Sequence, residues 1–458
     1  MIRLFHVYFP GRTLLLAITE ALFLAVALVV TMSFWLGRDM ELVFSYGHGG
    51  LKVLAISLIC MLCMYYYDLY DTLILHNRRE AATRLVQVLG TSCIVLALLF
   101  YLFPQTRLGR GPLLSWVIFA SVFLPIWRTV YLSLARLIGL TRRTLLLGGG
   151  ALADALVEEI GPRDELGLRI HGFVPVANET VSGIRCLGSM DKLDELLASE
   201  RINHIIVSME DRRGRLPMEK LLTFKARGLH IEDGTKTYEA ITGRIALMAL
   251  RPSTLLLSGG FQVSRLILFY KRLCSLVFSA IGIIVVFPVM VLTAIAVRLD
   301  SPGSVLFRQK RVGRYGKVFE LYKFRSMHAN ADANTKPAEA EDKRFTRVGR
   351  SLRRTRLDEL PQLYNILRGD MDFIGPRPFS QEMETDLAAR IPFYSQRWNI
   401  KPGATGWAQV HRGYCSSLED NIEKLSYDLF YIKNVSIGLD CLILFQTVKI
   451  LLLGKGAR

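Results

Sequence analysis

Long apolar runs with short basic breaks fill the first third of the chain, and an alternation of strand-like and helix-like segments replaces them in the middle. Four apolar stretches, near 12–36, 50–67, 85–103 and 112–135, each reach the length of about 18 residues that a bilayer requires. The first contains Glu20, exceeds a signal-peptide core and has no small-x-small cleavage site after it, so it reads as a retained anchor. Beyond residue 141 the pattern changes. Thr144–Leu147 runs into Gly148, Gly149 and Gly150, and a helical pattern follows from Leu152 to Ile160. Arg169–Val174, Ile205–Val207 and Leu229–Ile231 are strand candidates, separated by helical stretches near 190–200 and 216–227. Such alternation predicts a parallel sheet covered by helices. A fifth apolar run spans Leu273–Val297 with Pro288 near its middle, and a last one spans Leu439–Leu453, broken by Lys449.

Charge orients these runs. Arg3 and Arg12 precede the first; Arg78, Arg79 and Arg84 follow the second; Arg136, Arg142 and Arg143 follow the fourth. Basic loops stay in the cytoplasm, which places there both the N-terminus and everything after residue 140, although Arg107 and Arg110 run against the rule. The fifth run has Lys271 and Arg272 before it and Arg298, Arg308, Lys310, Arg311 and Arg314 after it. Both ends therefore read as cytoplasmic. A proline inside a helix removes a hydrogen bond and kinks it, so a helix broken at Pro288 can enter and leave one leaflet. The alternative is an ordinary fifth span, which would carry the basic C-terminal third across the membrane.

Composition narrows the class. Of 458 residues 51% are hydrophobic, and 57 Lys and Arg exceed 40 Asp and Glu by 17. A chain both apolar and basic fits a membrane protein with large cytoplasmic parts and excludes disorder, a collagen repeat and a small disulfide scaffold. The seven cysteines are odd in number, which favours reduced thiols; Cys60-x-x-Cys63 lies inside the second run and reads as packing. None of the eight histidines shows local ligand spacing, so no zinc or histidine chemistry is expected. Gly148-x-Gly150-x-x-Ala153 fits the relaxed dinucleotide fingerprint, but the acid expected about 20 residues on is missing from Arg169–Phe173. A Rossmann-like domain used for packing or assembly is the expectation.

The last third holds dense motifs. Arg308-Gln309-Lys310-Arg311-Val312-Gly313 and Tyr322-Lys323-Phe324-Arg325-Ser326-Met327 come first. Arg353-Arg354-Thr355-Arg356-Leu357-Asp358-Glu359-Leu360-Pro361 follows, then Gly375-Pro376-Arg377-Pro378 and Lys401-Pro402-Gly403-Ala404-Thr405-Gly406-Trp407. Between residues 308 and 377 there are 17 Lys and Arg against 9 Asp and Glu. That excess suits a polyanion, since arginine forks hold phosphate oxygens. Nucleic acid is excluded by the apolar runs and by the lack of any nucleic-acid-binding motif; anionic lipid headgroups account for part of the charge. Adjacent helical residues point about 100° apart, so one carboxylate of Asp358-Glu359 can face a substrate while the other holds a metal. A carboxylate can attack activated phosphorus to form an acyl phosphate. Taken alone, the pair also fits an exposed surface site beside a proline.

In order and spacing these five motifs resemble the bacterial sugar transferase family, the polyprenyl-phosphate hexose-1-phosphate transferases or monotopic phosphoglycosyl transferases. The resemblance covers about residues 267–458. The opening Met1-Ile2-Arg3-Leu4-Phe5, Tyr8-Phe9-Pro10 and Arg12-Thr13-Leu14-Leu15-Leu16, with Thr242-Gly243-Arg244-Ile245, are similar to its exosortase-associated exopolysaccharide branch. It implies Asp358 as nucleophile and Glu359 as magnesium ligand, the two forming the catalytic dyad. It implies Arg377 on the nucleotide, Arg353 on phosphate, and Lys323 and Arg325 as a further substrate-binding basic pair. It also implies Pro288 as the break of a re-entrant membrane helix. The implied reaction moves a sugar phosphate from a UDP-sugar to undecaprenyl phosphate at the bacterial inner membrane, on the cytoplasmic side, with Mg2+ as cofactor, membrane lipids around the anchor and a homodimer as the assembly.

The expected fold is thus an α-helical bundle of four spans (1–140), a central α/β Rossmann-like domain (141–256) and a mostly α monotopic catalytic domain (257–458) with its re-entrant helix at about 271–298. A membrane-tethered nucleotide-sensing regulator is the alternative function. A dehydratase or epimerase is disfavoured because the middle domain has no Tyr-x-x-x-Lys pair. Trp407 reads as a core or interfacial anchor, segment 329–343 as a surface loop, and the C-terminal apolar run as a helix that either lies in the interface or covers the core.

Overall fold

A computed structural model describes the chain apart from residues 1, 5–6, 46, 72–77, 138–140, 164–165, 177–178, 210–215, 258–259, 262, 329–343, 414–416 and 454–458. The loop expected at 329–343 therefore lies outside the described residues. Most of the described chain is helical. It divides into two compact units, Met1–Arg3 with Tyr8–Gly234 and Leu4–Val7 with Thr235–Arg458.

In the first unit the apolar runs fold as α1 (Gly11–Leu36), α2 (Gly49–Tyr66), α3 (Arg78–Leu102) and α4 (Arg110–Leu137). A helix satisfies its own backbone, which apolar surroundings cannot do. All four are long and apolar enough to cross a membrane. Leu24, Leu28 and Met32 of α1 pack on Ile56, Cys60 and Met64 of α2, Val88 of α3, and Trp116 and Leu124 of α4. Leu22, Leu54, Ile94 and Ile118 point outward and are mostly exposed. Apolar side chains on the outer face as well as the inner one suit a lipid surround.

One ion pair crosses this interior. Arg128 Nε donates to Glu20 Oε1 at 2.6 Å and its Nη2 donates to Oε2 at 3.0 Å, while Nη1 reaches the Leu69 carbonyl at 3.3 Å. The fork satisfies both carboxylate oxygens, the geometry in which a buried pair is best compensated.

Past the helices lies a sheet of β1 (Arg142–Leu147), β2 (Leu168–Val174), β3 (His204–Val207) and β4 (His230–Asp233). All strands are parallel, in the order β2-β1-β3-β4. Leu145, Leu147, Ile205 and Val207 pack against Leu193 and Leu197 of α6 (Leu193–Ser199) and Leu221 and Phe224 of α7 (Met218–Ala226). α5 (Ala151–Ile160) starts from the glycine loop after β1, where Gly148 and Gly150 take φ of 92° and 96°. Only glycine adopts that backbone freely. The Gly149 N–H donates to the Glu179 carboxylate at 2.8 Å. The loop thus already has an anionic partner within the chain, at the helix start where a phosphate would bind.

The second unit is organised on α8 (Arg265–Asp300), 36 residues long and continuing on both sides of Pro288. Near its start, Lys271 Nζ donates to Asp440 at 2.8 Å, to the Tyr431 hydroxyl at 2.6 Å and to the Ile374 carbonyl at 3.2 Å. Arg272 donates to the carbonyls of Ile366 and Leu367. Near its end, Val297 packs on Phe324 and Leu352. Between these anchors Ile284, Val285, Phe287 and Leu292 are exposed.

The remainder follows as an antiparallel hairpin of β5 (Leu306–Val312) and β6 (Val318–Phe324), then α9 (Arg347–Thr355) and α10 (Gln362–Arg368). β7 (Asp372–Ile374) pairs in parallel with β8 (Gly403–Thr405). α11 (Gln381–Arg390), α12 (Leu418–Lys433) and α13 (Ile437–Leu452) complete the unit. Its core gathers Ile374, Leu387, Tyr394, Trp407, Leu425, Phe430, Leu439 and Ile443. Trp407 is a core anchor, its Nε1 bonded to the Gly243 carbonyl at 2.8 Å. α13 buries Leu439 and Ile443 and exposes Leu444, Val448, Leu451 and Leu452, so one helix both covers the core and offers an apolar outer face.

Removing one member of a buried pair strands the other. Arg128→Met should lower stability by about 3–5 kcal/mol in a denaturant titration of the full chain in detergent, whereas Glu20→Leu with Arg128→Met should recover most of the loss. Equal losses in the single and double variants would deny that the pair is the stabilised contact.

Candidate active site

The left-handed backbone of Arg356, φ 57°, stops α9 directly before the Asp358-Glu359 pair. The pair then sits in a short 3-10 turn, Leu357–Glu359, instead of the α-helix that simple spacing suggests. Side chains in such a turn diverge by about 120° per residue. Helix resumes at α10 just after Pro361, whose missing N–H is harmless at a helix start. Asp358 thereby points into a buried position, 7% exposed, while Glu359 stays one-fifth exposed.

Three separate segments meet at Glu359. Lys323 Nζ on β6 donates to Glu359 Oε1 at 3.0 Å, and Arg377 Nη2 donates to the same oxygen at 2.7 Å. β6 is held to α10 by the Asn365 side chain, which accepts from the Tyr322 N–H at 3.0 Å and donates to the Glu320 carbonyl at 2.7 Å. Arg377 is placed by the backbone that follows β7. There a Cβ on Gly375 would strike the Lys401 carbonyl, so only glycine allows the strand pair to close this tightly.

Behind Arg377 lies a network that local sequence spacing does not reveal. The buried Arg397 Nη2 donates to the Arg377 carbonyl at 3.0 Å, and its other donors reach Asp428 at 2.8 Å and Glu384 at 3.1 Å. Arg311 Nη1 donates to the Pro378 carbonyl at 2.9 Å from the other side. Burial, and the nearby Arg377 charge, push Arg311 down to about 10. The residues that fix Arg377 are therefore Arg397, Glu384, Asp428 and Arg311, spread over more than a hundred positions.

The remaining expected residues separate. Arg353 is one turn above the pair, its guanidinium 4.4 Å over the Phe345 ring, and its charge acts on Asp358. Arg325 is directed elsewhere. Buried, it donates to the carbonyls of Ser301 (2.6 Å), Pro302 (3.0 Å) and Val297 (3.4 Å), and to the Ser301 hydroxyl. These bonds cap the C-terminal end of α8, so Arg325 fastens the long helix to the hairpin where a substrate contact was expected.

The two carboxylates are driven apart. Burial raises the Asp358 carboxyl above its ordinary range, with Lys323 opposing and the Glu359 charge adding to the rise. Burial would also raise Glu359, but Arg377 and Lys323 outweigh it and hold the carboxyl well below the usual range. Glu359 is thus a fixed anion. Asp358 is a desolvated carboxylate ringed by cations, a state in which a carboxylate is poorly solvated and able to attack phosphorus.

Residues 266–454 match the family model described as bacterial sugar transferase, and residues 66–216 match one described as CoA-binding domain. The chain is 42% identical over 221 residues to the UDP-N-acetylgalactosamine-undecaprenyl-phosphate N-acetylgalactosaminephosphotransferase of Aeromonas hydrophila, covering 48% of this chain and 52% of that protein. It is 33% identical over 321 residues to the UDP-glucose:undecaprenyl-phosphate glucose-1-phosphate transferase of Escherichia coli (strain K12), covering 68% of each. It is 39% identical over 185 residues to the exopolysaccharide production protein PSS of Rhizobium leguminosarum bv. phaseoli, covering 39% of this chain and 92% of that protein. The chain thus spans about half the length of the Aeromonas relative.

A carboxyl whose folded pKa lies above its unfolded one destabilises the fold at neutral pH, and the penalty fades as pH falls through the raised value. Asp358→Asn should therefore raise the melting temperature near pH 7.5, by about 2–4 °C for each kcal/mol relieved. Glu359→Gln should lower it, since Lys323 and Arg377 lose their shared anion. Thermal melts of both variants check the pair, and a lower melting temperature for Asp358→Asn would contradict the assignment.

Proposed function

The chain belongs to the bacterial sugar transferase family, and we propose on that premise that it transfers a sugar 1-phosphate from a UDP-sugar to undecaprenyl phosphate, releasing UMP. The observation that carries this reading is the buried Asp358, ringed by Lys323, Arg353 and Arg377 beside the anionic Glu359. An Asp358 oxygen attacks the β-phosphorus of the donor. The bond from that phosphorus to the bridging oxygen breaks, and UMP leaves with the oxygen. An oxygen of undecaprenyl phosphate then attacks the same phosphorus and frees Asp358, giving the lipid diphosphosugar. Arg377 and Arg353 hold the charge of the phosphates, in the way that phosphoryl transfer depends on positioning and neutralisation.

The donor set fits Mg2+. Glu359 offers a hard carboxylate oxygen for the ion, since both of its ion pairs fall on Oε1. When bound, the metal would neutralise the pyrophosphate of the donor.

A helix of 36 residues would measure about 54 Å if straight, well over the roughly 30 Å of a hydrocarbon core. Yet Lys271 near its start and Val297 near its end both pack on the same compact unit. That supports a re-entrant α8 broken at Pro288, four spans before it, and an active face level with the headgroups on the cytoplasmic side of a bacterial inner membrane. The name of the Rhizobium relative favours a role in exopolysaccharide production, and the reaction proposed above would initiate its repeat unit. The match of residues 66–216 to a CoA-binding domain favours a second reading, a nucleotide-sensing part, against which stands Glu179 in the glycine loop.

Purified full chain with Mg2+, undecaprenyl phosphate and a panel of UDP-sugars should release UMP with one donor, and Asp358→Asn should lower the rate at least about a thousandfold. UDP-glucose and UDP-N-acetylgalactosamine head the panel because the Escherichia and Aeromonas relatives are named for them. Release that survives Asp358→Asn would end the covalent mechanism, and no release with any donor would end the transferase reading.

The pH profile gives a separate check. Attack needs the carboxylate, so activity should fall on the acid side above the ordinary aspartate value of 3.8. Arg353→Gln removes a cation that favours the carboxylate, and should move this limb to higher pH. A limb that stays put or moves down would separate Arg353 from the nucleophile.

A further inference from the structure

The sheet of the first unit gathers three donor groups that the proposed reaction does not use. His204 opens β3 and His230 opens β4, and the register pairs them directly, with Ile206 opposite Glu232. Alternate residues of a strand share a face, so His230 and Glu232 lie on one side of β4, beside His204. One nitrogen from each imidazole and a Glu232 carboxylate oxygen lie within 4.8 Å of one another. His230 Nε2 is 2.8 Å from Glu232 Oε1.

His204 is the informative member. It is fully buried, and its Nδ1 is 3.0 Å from the Thr144 hydroxyl on β1. Its Nε2 is buried with no hydrogen-bond partner, and it faces Glu232 Oε2 at 3.7 Å. An unsatisfied buried polar atom costs about 1–3 kcal/mol. The Thr144 hydroxyl also reaches the Arg142 carbonyl at 3.4 Å. If the hydroxyl hydrogen goes there, Thr144 Oγ1 accepts the Nδ1 proton of His204. The Nε2 lone pair is then directed at a carboxylate oxygen, an arrangement that calls for a cation between them. A second group fixing the tautomer of a ligating imidazole is the usual support of a metal site.

We propose that His204 Nε2, His230 Nε2 and Glu232 form a Zn2+ site, with Thr144 as the orienting group. Two imidazoles and one carboxylate are a donor set that zinc takes with water in the fourth position. The half-exposed His230 and the one-third-exposed Glu232 leave that position open to solvent. Ligands about 2.1 Å from a tetrahedral ion stand roughly 3.4 Å apart, so the cluster closes by a small rotation of His230. The ion would join β4, the edge strand, to β3.

The test uses the full chain in detergent with its purification tag removed and Mg2+ in excess. After dialysis against Zn2+, metal analysis should find one ion per chain. Co2+ in its place should give the visible absorption of a four-coordinate site, displaced by Zn2+. His230→Ala alters an exposed side chain and should lose both signals without lowering the melting temperature of the metal-free protein. Asp358→Asn should keep both. Thr144→Val should weaken binding roughly 10- to 100-fold. Equal Zn2+ in wild type and His230→Ala, or loss of the ion in Asp358→Asn, would overturn the proposal. No retained ion in wild type would also overturn it.

Discussion

A single carboxylate oxygen, Glu359 Oε1, takes hydrogen bonds from both Lys323 and Arg377, and the geometry of the candidate active site depends on that convergence. The hairpin, the 3-10 turn and the loop after β7 have no other shared centre among the contacts described above. Two cations on one anion would repel without it. With it, they form a positively charged rim whose position is set on every side: by Asn365 under β6, by Arg397 and Arg311 around Arg377, and by Arg356 before the turn. The preorganisation is electrostatic and is complete before any substrate arrives, the condition under which charged groups assist a reaction most.

Asp358 owes its character to the same arrangement. Its neighbour keeps a permanent charge, so the two adjacent carboxyls cannot share a role. One is held down by cations and the other is lifted by burial, and environments that push two titratable groups apart are how a site distinguishes a fixed anion from a reacting one.

Local pattern made much of this legible. The four N-terminal apolar runs became α1 to α4 within a few residues of their expected ends at most boundaries, and each strand candidate falls within or beside β1 to β4. The motifs around Lys323, Asp358-Glu359 and Arg377 also pointed to groups that meet. What escaped was nonlocal. Glu20 stood out in an apolar run, but its partner Arg128 lies 108 residues away. Arg397, Glu384 and Asp428 carry no motif, and nothing short of the fold shows that they converge beneath Arg377. His204 and His230 lack ligand spacing because sheet register, not sequence distance, makes them neighbours. Arg325 misled for the opposite reason. It stands in a motif with Lys323, but it lies just past the end of β6, where the alternation of the strand no longer sets its direction, and it turns to the end of α8.

The Glu20–Arg128 pair has a consequence for how the chain is made. Synthesis delivers α1, with its carboxylate, long before α4 brings the guanidinium that neutralises it. A lone ionisable group at mid-helix disfavours insertion by about 2.5–3.5 kcal/mol. If α1 crosses the membrane as proposed above, then during that interval it is a poor transmembrane segment, and the apolar residues around Glu20 must hold it at the insertion machinery or in the interface. Partition of the first helix is then coupled to emergence of the fourth. A nascent chain that stops after α3 carries the Glu20 carboxyl without the guanidinium that receives it in the finished fold.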